Sequence, residues 1–351
     1  MMRVAILDPN APRPYTTDPA SLIGLGGTEM TIADVAHGLA RDVRLEIHQA
    51  ARTASSCISG VWFTPYAWKA KVRAETIVVI NSWKAAVACR KVNPDARMLL
   101  WLHNVPGRHN RRMGEALREA DVTIVCVSAS HARSLRAFLG RSAPKITHVY
   151  NPIPDDLRPL GLSHDPDLLF FASAPHKGLC EVFQNFRAVR DAFPTMTLAV
   201  ADPAYMRWDC GPVPDGVRMV GRQDKARLWE VMERSLCLFC PQTTFAETFG
   251  IVLAEANAVG CPVLTHGGLG ANDEVVSSRQ QCIDCTDMDA MIATIGRWRE
   301  SRPKVSGRSD FRLSSVLEDW RTLLQIDDKP SPRLHESSRR GSMPVYLGAA
   351  E

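Results

Sequence analysis

The sequence predicts an α/β protein built from two parallel-sheet units, and three observations carry that expectation. Short, almost wholly apolar runs alternate with stretches of helical periodicity, the rhythm of right-handed βαβ crossovers with strands covered on both faces. The rhythm breaks at Asn151-Pro152-Ile153-Pro154-Asp155-Asp156, where prolines and an acidic pair suit a linker, and then starts again. The 351 residues, 45% of them hydrophobic, suffice to bury two cores.

Arg3 to Leu7 reads as the first strand. A polar, proline-bearing loop ends in Ile23-Gly24-Leu25-Gly26-Gly27-Thr28-Glu29, and Thr28 to Leu39 reads as a helix with Ile32, Val35, Ala36 and Leu39 on one face. The loop is not Gly-x-Gly-x-x-Gly, because Glu29 stands where the third glycine would, so a dinucleotide fingerprint is not expected. Strands follow at Leu45 to His48, Thr76 to Ile80 and Arg97 to His103, with a helix from Lys84 to Val92 stopped by Asn93-Pro94. His103 falls just past a strand's carboxyl end, where open α/β sheets bind ligands. Arg111 to Ala120 is expected as a helix. Arg108, Arg111 and Arg112 at its head could meet phosphate or an anionic surface, or simply pair with Glu115 and Glu119. Asp121 to Val127 is a strand leading into Ser128-Ala129-Ser130 as a helix N-cap, and Lys145 to Tyr150 closes the first half.

The second half repeats the pattern. Strands are expected at Leu168 to Ser173, Thr197 to Ala201, Val217 to Gly221 and Leu236 to Cys240. Helices are expected from the turn Ala174-Pro175-His176-Lys177-Gly178-Leu179 to Phe193, and over Lys225 to Met232, Met288 to Trp298 and Phe311 to Leu324. The boundaries are therefore residues 1–150 for the first unit, 151–165 for the linker, 166–308 for the second unit and 309–324 for the last helix. Residues 325–351, rich in Ser, Arg and Pro, read as a disordered tail.

The chemistry concentrates between Thr244 and Gly270. Glu247 and Glu255 lie eight residues apart in an otherwise apolar segment whose Leu253, Ala254, Ala256 and Ala258 favour a helix stopped by Gly260. A carboxylate buried on such a helix needs a partner. With Glu247 just ahead of the helix, the two backbones would stand roughly 12 Å apart at about 1.5 Å per residue, about the span from the sugar to the ribose of a nucleotide-diphosphate sugar. The amides of Thr248, Phe249 and Gly250 between them would suit an anion. The plainer alternative is one Glu favoured by the helix dipole and the other paired with a buried Arg.

The string Glu247, Phe249-Gly250, Glu255-Ala256 and Gly260-Cys261-Pro262-Val263 resembles the retaining glycosyltransferases of family 4 (glycosyl transferases group 1). These have a GT-B fold, two Rossmann-like domains facing a cleft, with a C-terminal helix that crosses back to the first domain. The resemblance implies a metal-independent transfer of a sugar, a hexose in the usual case, from a nucleotide-diphosphate sugar to a saccharide or lipid-linked acceptor. Glu247 and His103 would be the catalytic residues at the sugar. Gly26, Gly27, Ser173, Lys177, Thr248, Phe249, Gly250 and Glu255 would bind the donor, with Glu255 on the ribose. A base-binding loop is expected after strands such as Thr197 to Ala201, and Asp273-Glu274-Val275-Val276 resembles the family's Gly-x-x-Glu-hydrophobic string. The family's Lys has its match in Lys177, whereas its diphosphate-clamping Arg has none, Ser173 or His176 standing nearest. Rival readings with the same fold are a non-catalytic nucleotide-sugar-binding subunit or sensor and a nucleotide-sugar 2-epimerase.

The net charge of +4 permits peripheral contact with an anionic membrane without demanding it, and nothing asks for nucleic acid. No basic leader or run of about 18 apolar residues appears, so a cytoplasmic protein is expected, with room for a peripheral place at the inner face of the membrane. Of ten cysteines, Cys237 and Cys240 have zinc-ligand spacing but fall in an apolar strand, where residues three apart face opposite ways. Buried thiols acting as small apolar filler are the better expectation; Cys282 and Cys285 alone keep a metal role open, and no metal is assigned.

Overall fold

The computed structural model describes residues 1–202 and 209–326. The first sheet contains β1 (Arg3–Asp8), β2 (Arg44–Gln49), β3 (Ser56–Ile58), β4 (Val61–Pro65), β5 (Thr76–Ile80), β6 (Arg97–Leu102), β7 (Val122–Cys126) and β8 (Ile146–His148). Their spatial order is β3-β4-β2-β1-β5-β6-β7-β8, parallel throughout except for the antiparallel pair β3 and β4. Helices α1 (Pro19–Leu22), α2 (Gly27–Leu39), α3 (Trp83–Val92), α4 (Met113–Glu119) and α5 (Ala129–Leu139) belong to this half. The second sheet contains β9 (Asp165–Ala172), β10 (Thr197–Ala201), β11 (Val217–Met219), β12 (Ser235–Cys240), β13 (Val263–His266) and β14 (Cys282–Ile283), all parallel, in the order β11-β10-β9-β12-β13-β14. With it go α6 (Leu179–Ala192), α7 (Lys225–Arg234), α8 (Ile251–Ala258), α9 (Asn272–Val275), α10 (Met288–Glu300) and α11 (Leu313–Leu324).

The central strands β5, β6, β7 and β12 are buried on both faces, which is why they read as unbroken apolar runs. The hairpin of β3 and β4 was not expected from the sequence. Its turn is the pair Ser59 and Gly60, both at positive φ (50° and 81°), which matches the right-handed twist of its strands. The flanking strands are too short, and Trp62 too exposed, for the alternation to show.

The last helix leaves the second unit and packs on the first. Val316, Leu317, Trp320 and Leu324 are buried, and Gly38 of α2 comes so close that a Cβ there would fall 2.4 Å from Leu317 Cδ1. Trp320 meets Trp101 of β6 edge-on at 4.5 Å, and Arg321 pairs with Asp42 at 2.9 Å. The linker runs alongside: Ile153 N–H donates to Phe311 O at 2.8 Å, and Leu313 N–H to Ile153 O at 3.0 Å. The chain thus crosses between the units twice at one place.

Cys237 and Cys240 are both buried on β12. Among the described residues no group of three or more His, Cys, Asp or Glu is placed to hold a metal, at Cys282 and Cys285 or elsewhere. A disulfide between Cys180 of α6 and Cys210 was not expected, since a separation of 30 residues carries no pairing signal. No helix among the described residues is long and apolar enough to cross a membrane. Of the tail expected at 325–351, residues 327–351 lie outside the described residues, as do residues 203–208, which follow β10, one of the strands after which a base-binding loop was expected.

A buried acid closes β1. Asp8 is 3% exposed and accepts from the Tyr15 hydroxyl at 2.8 Å, while Gln49 and Arg52 donate to Tyr15 O at 2.9 and 3.0 Å. Burial raises the Asp8 pKa to about 6; the Tyr15 hydroxyl opposes the rise and Glu29 adds to it. A folded value above the unfolded one means stability present below about pH 4 and lost as pH rises through about 6. Asp8→Asn should therefore match the parent near pH 4 and exceed it by about 2–3 kcal/mol at pH 8, measured by urea unfolding at both pH values. A constant difference would show that Asp8 is already matched to its surroundings.

Candidate active site

The carboxyl ends of both sheets face one cleft, and the segment after β12 lines it. Its approach is held from α6, where the Glu181 carboxylate accepts from Thr243 N–H at 2.7 Å, from Thr243 Oγ1 at 2.9 Å and from the Thr244 hydroxyl. Gly270, at φ +58°, comes so close to this segment that a Cβ would lie 2.4 Å from Glu247 O, and Ala271 N–H donates to the same oxygen at 2.9 Å. Only glycine fits there without moving Glu247. The Glu247 carboxylate is gripped by Lys177 Nζ at 2.8 and 3.0 Å, the ammonium also lying 5.0 Å from the Phe245 ring centre. Lys177 and Glu247 share a pocket with Ser173, Gln242, Thr265 and Asn272.

Gly250 takes a left-handed conformation (φ +87°), so α8 starts at Ile251. Glu255 therefore sits just over one turn into the helix, and the amides of Thr248 to Gly250 precede it. Glu255 is 3% exposed and is met by Lys225 Nζ of α7 at 2.6 Å, so its cationic partner is a lysine rather than an arginine. Its other oxygen, Oε2, is buried without a hydrogen-bond partner among the described residues, an arrangement that is costly unless something fills it. Asp34 of α2 is an exposed acid close enough to feel the charges of both members of this pair. The protein around it raises its pKa, with Lys225 drawing it back and Glu255 adding to the rise.

From the first unit, Gly26 caps α2 and donates its N–H to Glu29 at 3.0 Å, which gives Glu29 a capping role. Gly27 rests on the head of α8: a Cβ there would be 3.0 Å from Ile251 Cδ1. His103 follows β6, its N–H donating to Asn81 Oδ1 at 2.7 Å and its ring lying 4.8 Å from Trp101. Burial, then the neighbouring His131, pushes its pKa down to about 3, so the imidazole is neutral, and its Nε2 is buried without a partner among the described residues.

A polar seam joins the two units beside these residues. Thr248 Oγ1 donates to His103 O at 2.8 Å, and Ser128 Oγ donates to Thr248 O at 2.6 Å. Glu274 of α9 accepts from the N–H groups of Ala129 and Ser130 at 2.8 and 2.6 Å, capping α5 from the opposite domain. Burial alone would raise the Glu274 pKa; the Ser130 hydroxyl, these two amides and Tyr150 hold it below the ordinary range. Phe249 is buried among Tyr150 and Phe311, with ring centres 6.0 and 5.0 Å away, so its side chain anchors the seam and does not reach into the cleft. Glu274→Gln keeps the shape and removes the charge. We expect it to weaken the seam by about 1–2 kcal/mol and to enlarge the radius of gyration in solution scattering. An unchanged radius would show that the seam is held elsewhere.

The structure thus brings Ser173, Lys177 and Glu247 into one pocket, rests Gly27 on the head of α8 with Gly26 beside it as the cap of α2, and sets His103 against Thr248. The sequence did not point to Lys225, Asp34 or Ser128 as parts of the cleft. A carboxylate on an apolar helix demanded some cation, but which one depends on how α7 packs against α8. A larger recess of about 420 Å³ lies away from this cleft, by the amino-terminal ends of β6 and β7. Its Arg90 donates to the carbonyls of Pro94, Ala96, Ala120 and Asp121, which makes it a structural tie.

Residues 155–309 match the family model described as glycosyl transferases group 1. Glycogen synthase of Mycobacterium tuberculosis is 28% identical over 225 residues, covering 59% of this chain and 53% of that protein. Phosphatidyl-myo-inositol mannosyltransferase of Mycobacterium leprae is 31% identical over 93 residues, 26% of this chain and 25% of its own length. The chain therefore spans between a quarter and about half of the curated relatives it matches. Among solved structures, sucrose-phosphate synthase from Thermosynechococcus elongatus superposes with a TM-score of 0.69 at 13% identity, covering 93% of this chain and 98% of that one. A lipopolysaccharide outer core galactosyltransferase gives 0.62 at 16% identity, covering 92% and 99%. At such identities the likeness speaks for the fold. Residues 155–309, which include Lys177, Lys225, Glu247 and Glu255, are therefore the part of this two-sheet molecule of the GT-B fold that matches glycosyl transferases group 1.

Proposed function

We propose that the protein is a retaining glycosyltransferase of family 4, moving a sugar, in the usual case a hexose, from a nucleotide-diphosphate sugar to a saccharide or lipid-linked acceptor in glycan biosynthesis. One observation carries the reading: Glu247 and Glu255 flank the head of α8 on the cleft, and buried Glu255 keeps one oxygen unpartnered. That oxygen suits a ribose hydroxyl, since a carboxylate accepts two hydrogen bonds at once. Lys177 and the amides at the head of α8 would offset charge on the departing diphosphate, a task this reading assigns to the protein rather than to a metal. Glu247 would face the donor sugar and counter positive charge at the anomeric carbon as its bond to the phosphate oxygen breaks. The acceptor oxygen would bond to that carbon on the same face, its proton passing to the leaving phosphate. Neutral His103 would hydrogen-bond the sugar from the first unit through Nε2. The same reading places the protein in the cytoplasm, with peripheral contact at the inner face of the membrane where the acceptor is lipid-linked.

The test is release of nucleoside diphosphate from a panel of nucleotide sugars, with and without acceptor extracts. Acceptor-dependent release with the product's anomeric configuration retained is expected. Binding of donor without turnover would favour a sensor, and an isomerised nucleotide sugar would favour an epimerase.

A further inference from the structure

The lysines of the cleft are already matched, Lys177 by Glu247 and Lys225 by Glu255. Two arginines are not. Arg13 Nη2 donates to the carbonyl of Ile23. Arg222, on the segment after β11, brings Nη1 so close to Gly24 that a Cβ there would fall 2.4 Å from it. Both side chains are exposed, and among the described residues neither forms an ion pair within 4.0 Å of a carboxylate. They come from opposite units and meet on the Ile23–Gly24 peptide, at the start of the glycine loop that covers the head of α8.

Two like charges brought together without an acid repel each other, and the arrangement makes sense where an anion lies between them. Guanidinium groups suit phosphate in particular, offering paired N–H groups that match two of its oxygens. The sum of charges points the same way. Each lysine is shared with a glutamate, so those pairs alone offer less positive charge than a ligand with about two negative charges at its phosphates calls for. Gly24, at φ +78°, has no side chain to push Arg222 away. We propose that Arg13 and Arg222 bind a phosphate group of a substrate across the cleft. The proposal rests on the glycosyl-transfer reading and adds to it a pair of cations that no family motif marks. The phosphate would be that of the donor diphosphate or one carried by a phosphorylated sugar acceptor.

The experiment compares the parent protein with Arg222→Met by calorimetric titration of uridine, guanosine and adenosine diphosphates, the corresponding nucleosides, and a hexose 6-phosphate. Loss of one charge-assisted contact should weaken the phosphate ligand about tenfold and leave the nucleosides unchanged. A loss for the nucleoside diphosphates names the donor as the source; a loss confined to the hexose phosphate names the acceptor. Arg222→Lys, which keeps the charge but not the planar fork, should fall between. Arg222 is exposed and, among the described residues, its side chain forms no hydrogen bond or ion pair, so an unchanged thermal melt is expected and would confirm that the variant is folded. If Arg222→Met binds every phosphate ligand as tightly as the parent, the proposal is overturned while the transfer reading stands. A parent protein that binds no nucleoside diphosphate would instead sink the transfer reading.

Discussion

Glu247→Gln should lower turnover by about 10²- to 10³-fold, some 3–4 kcal/mol of transition-state stabilisation, while nucleoside diphosphate affinity stays near the parent value. The amide keeps the volume and an accepting oxygen but not the charge. The carboxylate faces Lys177 at 2.8 and 3.0 Å and is positioned by Gly270 and Ala271, so its place does not depend on its own ion pair alone. Its negative charge matters most when the sugar carbon becomes positive, and that moment belongs to kcat rather than to donor binding. Steady-state kinetics alongside a direct binding titration separate the two. If affinity for the nucleoside diphosphate falls in step with turnover, Glu247 acts only by holding Lys177.

Glu255→Ala should show the opposite split. Two hydrogen bonds from ribose hydroxyls to a charged acceptor are worth about 3–5 kcal/mol together, so nucleoside diphosphate binding should weaken by two to three orders of magnitude. Lys225 is left without its partner but is 36% exposed and can turn to water, so the fold should survive. A double-mutant cycle tests the assignment: the parent should discriminate strongly between a nucleoside diphosphate and its 2′,3′-dideoxy analogue, and the variant should not. Equal discrimination by both proteins would take Glu255 away from the ribose.

Much of this arrangement was legible in the sequence because it depends on local rules. Thr76 to Ile80 and Leu236 to Cys240 are strands flanked by α/β crossovers, and no other place suits runs so apolar. The glutamate pair stood out because acids are rare in such a helix. What was hidden depends on which distant residues meet. Gly250 moves the start of α8 to Ile251 by a left-handed turn that composition does not announce. Lys225, Ser128 and Glu274 gain their roles only when α7 packs on α8 and the two units close. Phe249 was read for its backbone amide, and the place of its ring, in the cluster with Tyr150 and Phe311, could not be foreseen.

The helix that returns to the first unit has a consequence for biosynthesis. Trp101 and Gly38 are synthesised early, but Trp320 and Leu317, which cover them, follow 219 and 279 residues later. At elongation rates of about 5–20 residues per second, the nascent first half waits on the order of ten seconds or more with an uncovered greasy groove. Ribosome-bound chains stalled before residue 313 should therefore attract holdase chaperones, and release of α11 from the exit tunnel should end that attraction.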